Sequence, residues 1–343
     1  MNKLKVAVGL LALLVTLVWG GHVAQSQDKA ATRAVDLHMV ITDEAVRDNS
    51  ELAILRPENI QVKLGKDPVK VKQLIPARGE NAALQLFILI DDTCDTQSIG
   101  NSLNDIKEFI NAQPASTVVG VAYMSNATIQ IAQNFTADHA LVAKAIRLPR
   151  GALSAMDSPY LSLISLVKGW SEQNVRREVL MITDGIDRLR NRNERQVSTP
   201  TASTAARGRS LPSYSPTYTT PSISSDADTA STTSQRFRVI VHSIYAVGVG
   251  RAGRNSWEAQ LGQSGIAKIA DETGGEYFAL GTQNALSFKP YLDRLQKIFE
   301  NQYFLVFQGS RQNKAGLQRV RISTDVENAE IAAADNVWVP AAH

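Results

Sequence analysis

Apolar and polar residues alternate at Val35, Leu37, Met39 and Ile41, and again at Ile60, Val62 and Leu64 ahead of the turn residues Gly65 to Pro68. A period of two predicts half-buried strands. After a linker at Gly79 to Asn81 the pattern changes. Leu84 to Ile90 reads Leu-Gln-Leu-Phe-Ile-Leu-Ile and stops abruptly at Asp91-Asp92. Apolar residues on both faces of so short a run predict a central strand of a parallel sheet, covered by helices on each side. Ile99, Leu103, Ile106, Phe109 and Ile110 then keep to one face of a helix. Strands are predicted at Thr117 to Met124 and Ala127 to Ala132, around a turn at Asn126. Helices are predicted at Ala137 to Arg147, with Thr136 as N-cap, and at Tyr160 to Trp170.

The alternation continues through a buried strand at Glu178 to Ile182, ending in Thr183-Asp184-Gly185, and another strand at Val239 to Val247. Ile266 to Glu272 is a helix stopped by Gly274-Gly275, followed by a strand at Glu276 to Leu280. Phe288, Tyr291, Leu292, Leu295, Ile298 and Phe299 form the core-facing stripe of a last long helix before a strand at Tyr303 to Phe307. Such alternation predicts an open, doubly wound α/β sheet, mostly parallel, with helices on both faces. Beyond Phe307 the strand pattern returns at Leu317 to Ser323 and Val337 to Val339. These strands are expected to pair with the N-terminal ones in a small flanking β module. Ser198 to Ser225 breaks the pattern: 18 of its 28 residues are Ser, Thr or Pro. With so few apolar groups it reads as a solvated surface insertion.

Composition narrows the classes of function. A chain of 343 residues, 44% apolar and 20% charged, supports one or two globular domains and excludes a disordered polymer. A single cysteine, Cys94, excludes an internal disulfide framework and a cysteine-based zinc site. The net charge of +3 falls to +1 once Lys3 and Lys5 are set aside, which gives no reason to expect a nucleic-acid partner. Those two lysines open a targeting signal. Val6 to Trp19 is an apolar run of 14 residues, and Ala24 and Ser26 stand at −3 and −1 of a cut before Gln27. The run is short of the roughly 17–25 residues a spanning helix needs, so residues 1–26 read as a signal peptide rather than an anchor. No later stretch is apolar enough to stop transfer. The expectation is an exported chain, periplasmic or extracellular, with no membrane span after cleavage.

In an open α/β sheet, ligands gather beyond the carboxyl ends of the strands. Two ends carry acids here, Asp91-Asp92-Thr93-Cys94-Asp95 and Thr183-Asp184-Gly185. Acids on one rim repel each other unless a cation or water separates them. Mixed carboxylate and hydroxyl oxygens suit Mg²⁺, Ca²⁺ or Mn²⁺. From Leu84 to Phe307 the chain resembles the von Willebrand factor A (VWA) domain family. Asp91-Asp92-Thr93-Cys94-Asp95 stands against the family's D-x-S-x-S at the end of an apolar strand. Ser154, in Gly151-Ala-Leu-Ser-Ala-Met-Asp157, stands against its loop Thr, and Thr183-Asp184-Gly185 against its T/S-D-G. Ala270 to Phe278 resembles its C-terminal half, and the whole chain is similar to exported VWA-related proteins of bacteria.

The resemblance implies a metal-ion-dependent adhesion site in a non-enzymatic protein-binding module. Asp91, Thr93, Asp95, Ser154 and Asp184 would surround the metal, and the partner would be a protein not yet named. The implied division is a signal peptide (1–26), an N-terminal β segment (27–82), a VWA-like domain (83–308, with the 198–225 insertion) and a C-terminal β segment (309–343). Asp95 departs from the family's second Ser, and Cys94 from its usual Gly. Unit charges ~4 Å apart attract by about 4 kcal/mol near a protein surface. An added carboxylate at Asp95 therefore favours keeping a cation and weakens the cation's pull on an acidic ligand.

Other readings stay open: a structural or assembly protein of the cell envelope with a vestigial metal site, or a metal- or nucleotide-dependent enzyme. Gly248-Val-Gly250-Arg-Ala-Gly253 is a literal G-x-G-x-x-G after a strand, but Arg254 to Trp257 gives no clear helix start for a pyrophosphate. Cys94 is expected to be a shielded, inert thiol, because no His stands in a recognisable arrangement to activate it.

Overall fold

The computed structural model describes residues 34–46, 54–154, 156–171, 175–189, 224–249, 256–279, 281, 283 and 285–342. The expected signal peptide, all but two residues of the 198–225 insertion, and Gly250 to Gly253 lie outside the described residues.

The chain opens with β1 (Ala34–Asp43), β2 (Ile60–Leu64), β3 (Asp67–Val69) and β4 (Val71–Pro76). Next comes β5 (Leu84–Asp91), buried along its whole length as its unbroken apolar run demands. α1 (Thr96–Gly100) and α2 (Leu103–Asn111) lead to β6 (Thr117–Ser125) and β7 (Thr128–Thr136). The β6–β7 hairpin turns on Asn126 and Ala127, at φ of 53° and 57°. Positive φ at both positions is what a two-residue hairpin turn of matching twist requires, so β7 starts at Thr128.

α3 (His139–Ala145) begins two residues later than expected. Thr136 still pairs with Val119 in the sheet, and its hydroxyl accepts only from the Asp138 amide, at 3.0 Å. Asp138 is the N-cap instead, accepting from the Leu141 amide at 3.0 Å. α4 (Pro159–Lys168) and β8 (Arg176–Thr183) follow. Then comes a helix that periodicity did not predict, α5 (Ser225–Arg236), which buries only Ala227, Ala230, Ser231, Ser234 and Gln235. β9 (Val239–Tyr245), α6 (Ser256–Thr273), β10 (Tyr277–Phe278) and α7 (Lys289–Glu300) complete the alternating region. Gly274, at φ 77°, stops α6 as expected.

The central sheet runs β10-β9-β8-β5-β6-β7, parallel except for the antiparallel edge β7. α2, α3 and α7 cover the face carrying Leu86, Ile88 and Ile90, and α4, α5 and α6 cover the face carrying Phe87 and Leu89. This is the expected doubly wound architecture. From β5 the chain moves outward through β6 and β7, then crosses to β8 and continues the other way. The carboxyl ends of β5 and β8, paired in register through Ile90 and Ile182, therefore flank the switch point where a crevice forms.

The two ends of the chain build the flanking β module. β11 (Gln302–Ser310), β12 (Gly316–Thr324), β13 (Ile331–Ala333) and β14 (Asn336–Val339) join the first four strands in two sheets, β13-β1-β11-β4 and β14-β12-β2-β3. Leu37, Ile41, Val62, Phe307, Val320 and Val339 share one core between them. Tyr303 to Phe307, which fell within the VWA-like stretch on sequence, belongs to this module: β11 pairs with β1 from Ala34↔Ser310 to Thr42↔Gln302. Among the described residues no helix is long and apolar enough to cross a membrane.

Candidate functional site

At the switch point the strands β5 and β8 deliver Asp91 and Thr183 side by side. Oδ1 of Asp91 accepts from the amide and the hydroxyl of Thr93, at 2.9 and 2.7 Å, and Oδ2 accepts from the Thr183 hydroxyl at 2.6 Å. Burial, and then the charge of Asp184, nevertheless push the Asp91 carboxyl up to about 6, against the opposing pull of Arg188 and the hydrogen bonds from the Thr183 hydroxyl and the Thr93 amide.

Asp184 lies fully buried one residue beyond Thr183. The Arg188 guanidinium donates to both its oxygens, Nη2 to Oδ2 at 2.5 Å and Nη1 to Oδ1 at 3.3 Å, and the Ile186 amide adds a donor at 2.9 Å. The side chains in this pair are 9% and 0% exposed. Burial works against the charge on Arg188. The field of Asp184, their hydrogen bonds and the field of Asp91 outweigh it, so Arg188 is held above its usual range.

A backbone segment roofs the pair. Val249 donates its amide to the Thr93 carbonyl at 2.9 Å, and Asp95 donates to the Val247 carbonyl at 2.8 Å. Between them Gly248 bridges to Cys94. A Cβ on Gly248 would fall 1.8 Å from Oδ2 of Asp184 and 2.8 Å from Nη2 of Arg188. Gly248 is required here by close approach, which accounts for one glycine of the G-x-G-x-x-G run without a nucleotide. Cys94 is buried under the same roof, its Sγ 3.8 Å from the Ala246 carbonyl. Burial pushes its thiol up, and the charges of Asp91 and Asp184 push further the same way.

A second charged cluster faces the other side of β5. Arg147 donates to both oxygens of buried Asp92, at 2.6 and 2.9 Å, and the Arg150 amide adds a third bond at 3.1 Å. The Arg147 guanidinium lies 3.6 Å above the Tyr123 ring. Gly151 donates its amide to the Asp92 carbonyl at 3.0 Å. The segment 147–151 is thereby pinned to the rim, and the loop it begins presents Leu148, Leu153 and Met156 at 44%, 49% and 51% exposure.

The expected metal residues separate into two groups. Asp91, Thr93 and Asp184 converge under the roof. Asp95 is the N-cap of α1, accepting from the Ser98 amide at 3.2 Å. Ser154 is engaged within its own loop, its Oγ accepting from the Met156 amide at 3.1 Å and its amide donating to Asp157. Among the described residues no three His, Cys, Asp or Glu side chains group as metal ligands. A divalent ion needs several open oxygens aimed at one point. Here a guanidinium holds both oxygens of Asp184, and Gly248 closes the approach. As arranged, these residues do not fit a divalent ion. The sequence motifs included Thr183 and Asp92 but gave them no partner, and they left out Arg188 and Arg147, which the structure pairs with Asp184 and Asp92. The Arg188 signal was an Asp and an Arg four residues apart just after a strand.

No protein-family model matches the chain, and no curated protein matches it. Solved structures similar to it include an aerotolerance-related membrane protein from Bacteroides fragilis, at 13% identity, covering 63% of this chain and 98% of that one, with a TM-score of 0.40. A von Willebrand factor type A protein from Catenulispora acidiphila matches at 10% identity, covering 90% and 74%, with a TM-score of 0.38. The manganese-loaded Plasmodium vivax TRAP protein matches at 10% identity, covering 73% and 92%, also at 0.38. Likenesses this distant carry no functional argument, and the fold rests on the strand order described above.

Proposed function

We propose that the chain is an exported, non-enzymatic protein-recognition module that takes an acidic, partly apolar segment of a partner protein at the loop 147–156. The observation that supports this reading is the exposure of Leu148, Leu153 and Met156 in a segment whose start is held to the rim by the Arg147–Asp92 pair. Exposed apolar side chains close in sequence are the usual make-up of a docking surface. Trp257, 44% exposed, stands at the start of α6, which begins at the same end of the sheet. Arg147 and Arg150 share one carboxylate, so a positive charge is left over to favour an acidic partner. Export is supported by Lys3, Lys5, the apolar run to Trp19 and the small residues Ala24 and Ser26.

A photo-crosslinking amino acid at Leu153 of the full chain, expressed in its own host, tests the surface. It is expected to trap one discrete protein that the same probe at exposed Gln130 does not, and Arg150→Glu is expected to abolish the adduct. Equal labelling at both positions would overturn the reading. N-terminal sequencing of the secreted or periplasmic form is expected to begin at Gln27.

A further inference from the structure

We infer that Arg188 is a built-in cation that occupies the place of a divalent ion at the strand-end site, closing the site to metals, and that removing it uncovers a metal site at Asp91 and Asp184. Two independent features of the structure carry this. The guanidinium grips both oxygens of Asp184, the carboxylate that shares the rim with Asp91. The Gly248 backbone then lies so close over the pair that not even a methyl group fits.

Charge explains why something positive must be there. Two buried carboxylates side by side cannot both stay ionised in a low-dielectric pocket without a counter-charge. A bound ion can supply it, at the cost of depending on ion supply. A guanidinium four residues along the same loop supplies it permanently and is anchored besides: Nη1 also donates to the Ile186 carbonyl at 3.2 Å, and the Arg188 amide to the Asp157 carbonyl at 3.0 Å. An arginine stays charged at any physiological pH. The site is thereby always filled, and any partner bound at this rim meets side chains rather than an exchangeable metal.

Mn²⁺ is the probe, because its free and bound forms differ in electron paramagnetic resonance and it suits oxygen ligands. Wild type, Arg188→Gln and Arg188→Lys are titrated as mature full chains, with melting followed in parallel in EDTA and in excess Mn²⁺. Wild type and Arg188→Lys, which keeps a cation in place, are expected to bind no stoichiometric Mn²⁺ and to melt at the same temperature with and without it. Arg188→Gln is expected to melt lower in EDTA, bind about one Mn²⁺ at least 100-fold more tightly than wild type, and recover several degrees in excess ion. Adding Asp184→Asn to Arg188→Gln is expected to abolish that binding. Stoichiometric Mn²⁺ binding by wild type or by Arg188→Lys overturns the inference, as does a folded Arg188→Gln that binds none. If Arg188→Gln folds only when refolded with Mn²⁺, that dependence itself supports it. No partner enters the titration, so its outcome and that of the crosslinking experiment are independent.

Discussion

The Asp92 carboxylate is buried and depends on Arg147 for two of its hydrogen bonds. Truncating that arginine in Arg147→Ala leaves a buried charge with only the Arg150 amide and the exposed Arg150 guanidinium at 3.8 Å. Arg147 is more than one-third exposed, so water softens the loss. The expected cost is about 1–3 kcal/mol, read by urea unfolding, with faster proteolysis at 147–156. Cys94 gives a second test at this scale. Its thiol is sealed under the Gly248 bridge and pushed away from ionisation, so iodoacetamide at pH 8 is expected to leave it unmodified in the native protein and to label it fully in urea. Labelling in the native state would mean that the roof opens. Asp91 and Asp184 are legible in the sequence because a strand that stops at an acid announces where its side chain will sit. Arg188 is not, since an Asp–Arg pair at four residues reads like any exposed helix pair. Only the roof, centred on Gly248, 60 positions on, turns it into a buried latch.

Among the elements, the central strands were readable because burial on both faces writes itself as an unbroken apolar run. α5 was not, because its buried face is Ala and Ser rather than Leu or Ile. A helix wedged between α4 and α6 needs small side chains there, and that leaves no hydrophobic period to detect. Its ends did carry a signal. Ser224 caps it, Asp226 and Asp228 sit in its first turn and Arg236 in its last, the charge order that a helix dipole favours. The start of α3 shows the opposite error. Thr136 is a good cap by type but is still committed to β7, and the role passes to Asp138. Asp138→Ala is therefore expected to cost about 1 kcal/mol and Thr136→Ala clearly less. Denaturant midpoints of the two variants decide it, and equal losses would restore Thr136 as the cap.

For the whole molecule, sequence alternation disclosed the doubly wound sheet and the pairing of the terminal strands, but not that residues 302–310 leave the α/β layers to lie between β1 and β4. A strand's partners across such distances are set by which faces remain to be buried, and local pattern does not record that. Deleting 331–343 removes β13 and β14, and with them the buried side chains of Val337 and Val339. The expected loss is about 3–6 kcal/mol from those two valines alone, seen as an earlier unfolding transition and cleavage within β1. An unchanged transition would show that the module holds without its last two strands. The pairing of β1 with β11 has a further consequence for synthesis. Ala34 waits for Ser310 and Ile41 for Ala333, so β1 stays single until strands nearly 300 residues further on have been made. A copy that stops early displays an unsatisfied strand edge of the kind that quality-control proteases attack. Closure of the module thus serves as an inspection stamp, given only to copies carried through to the closing strands.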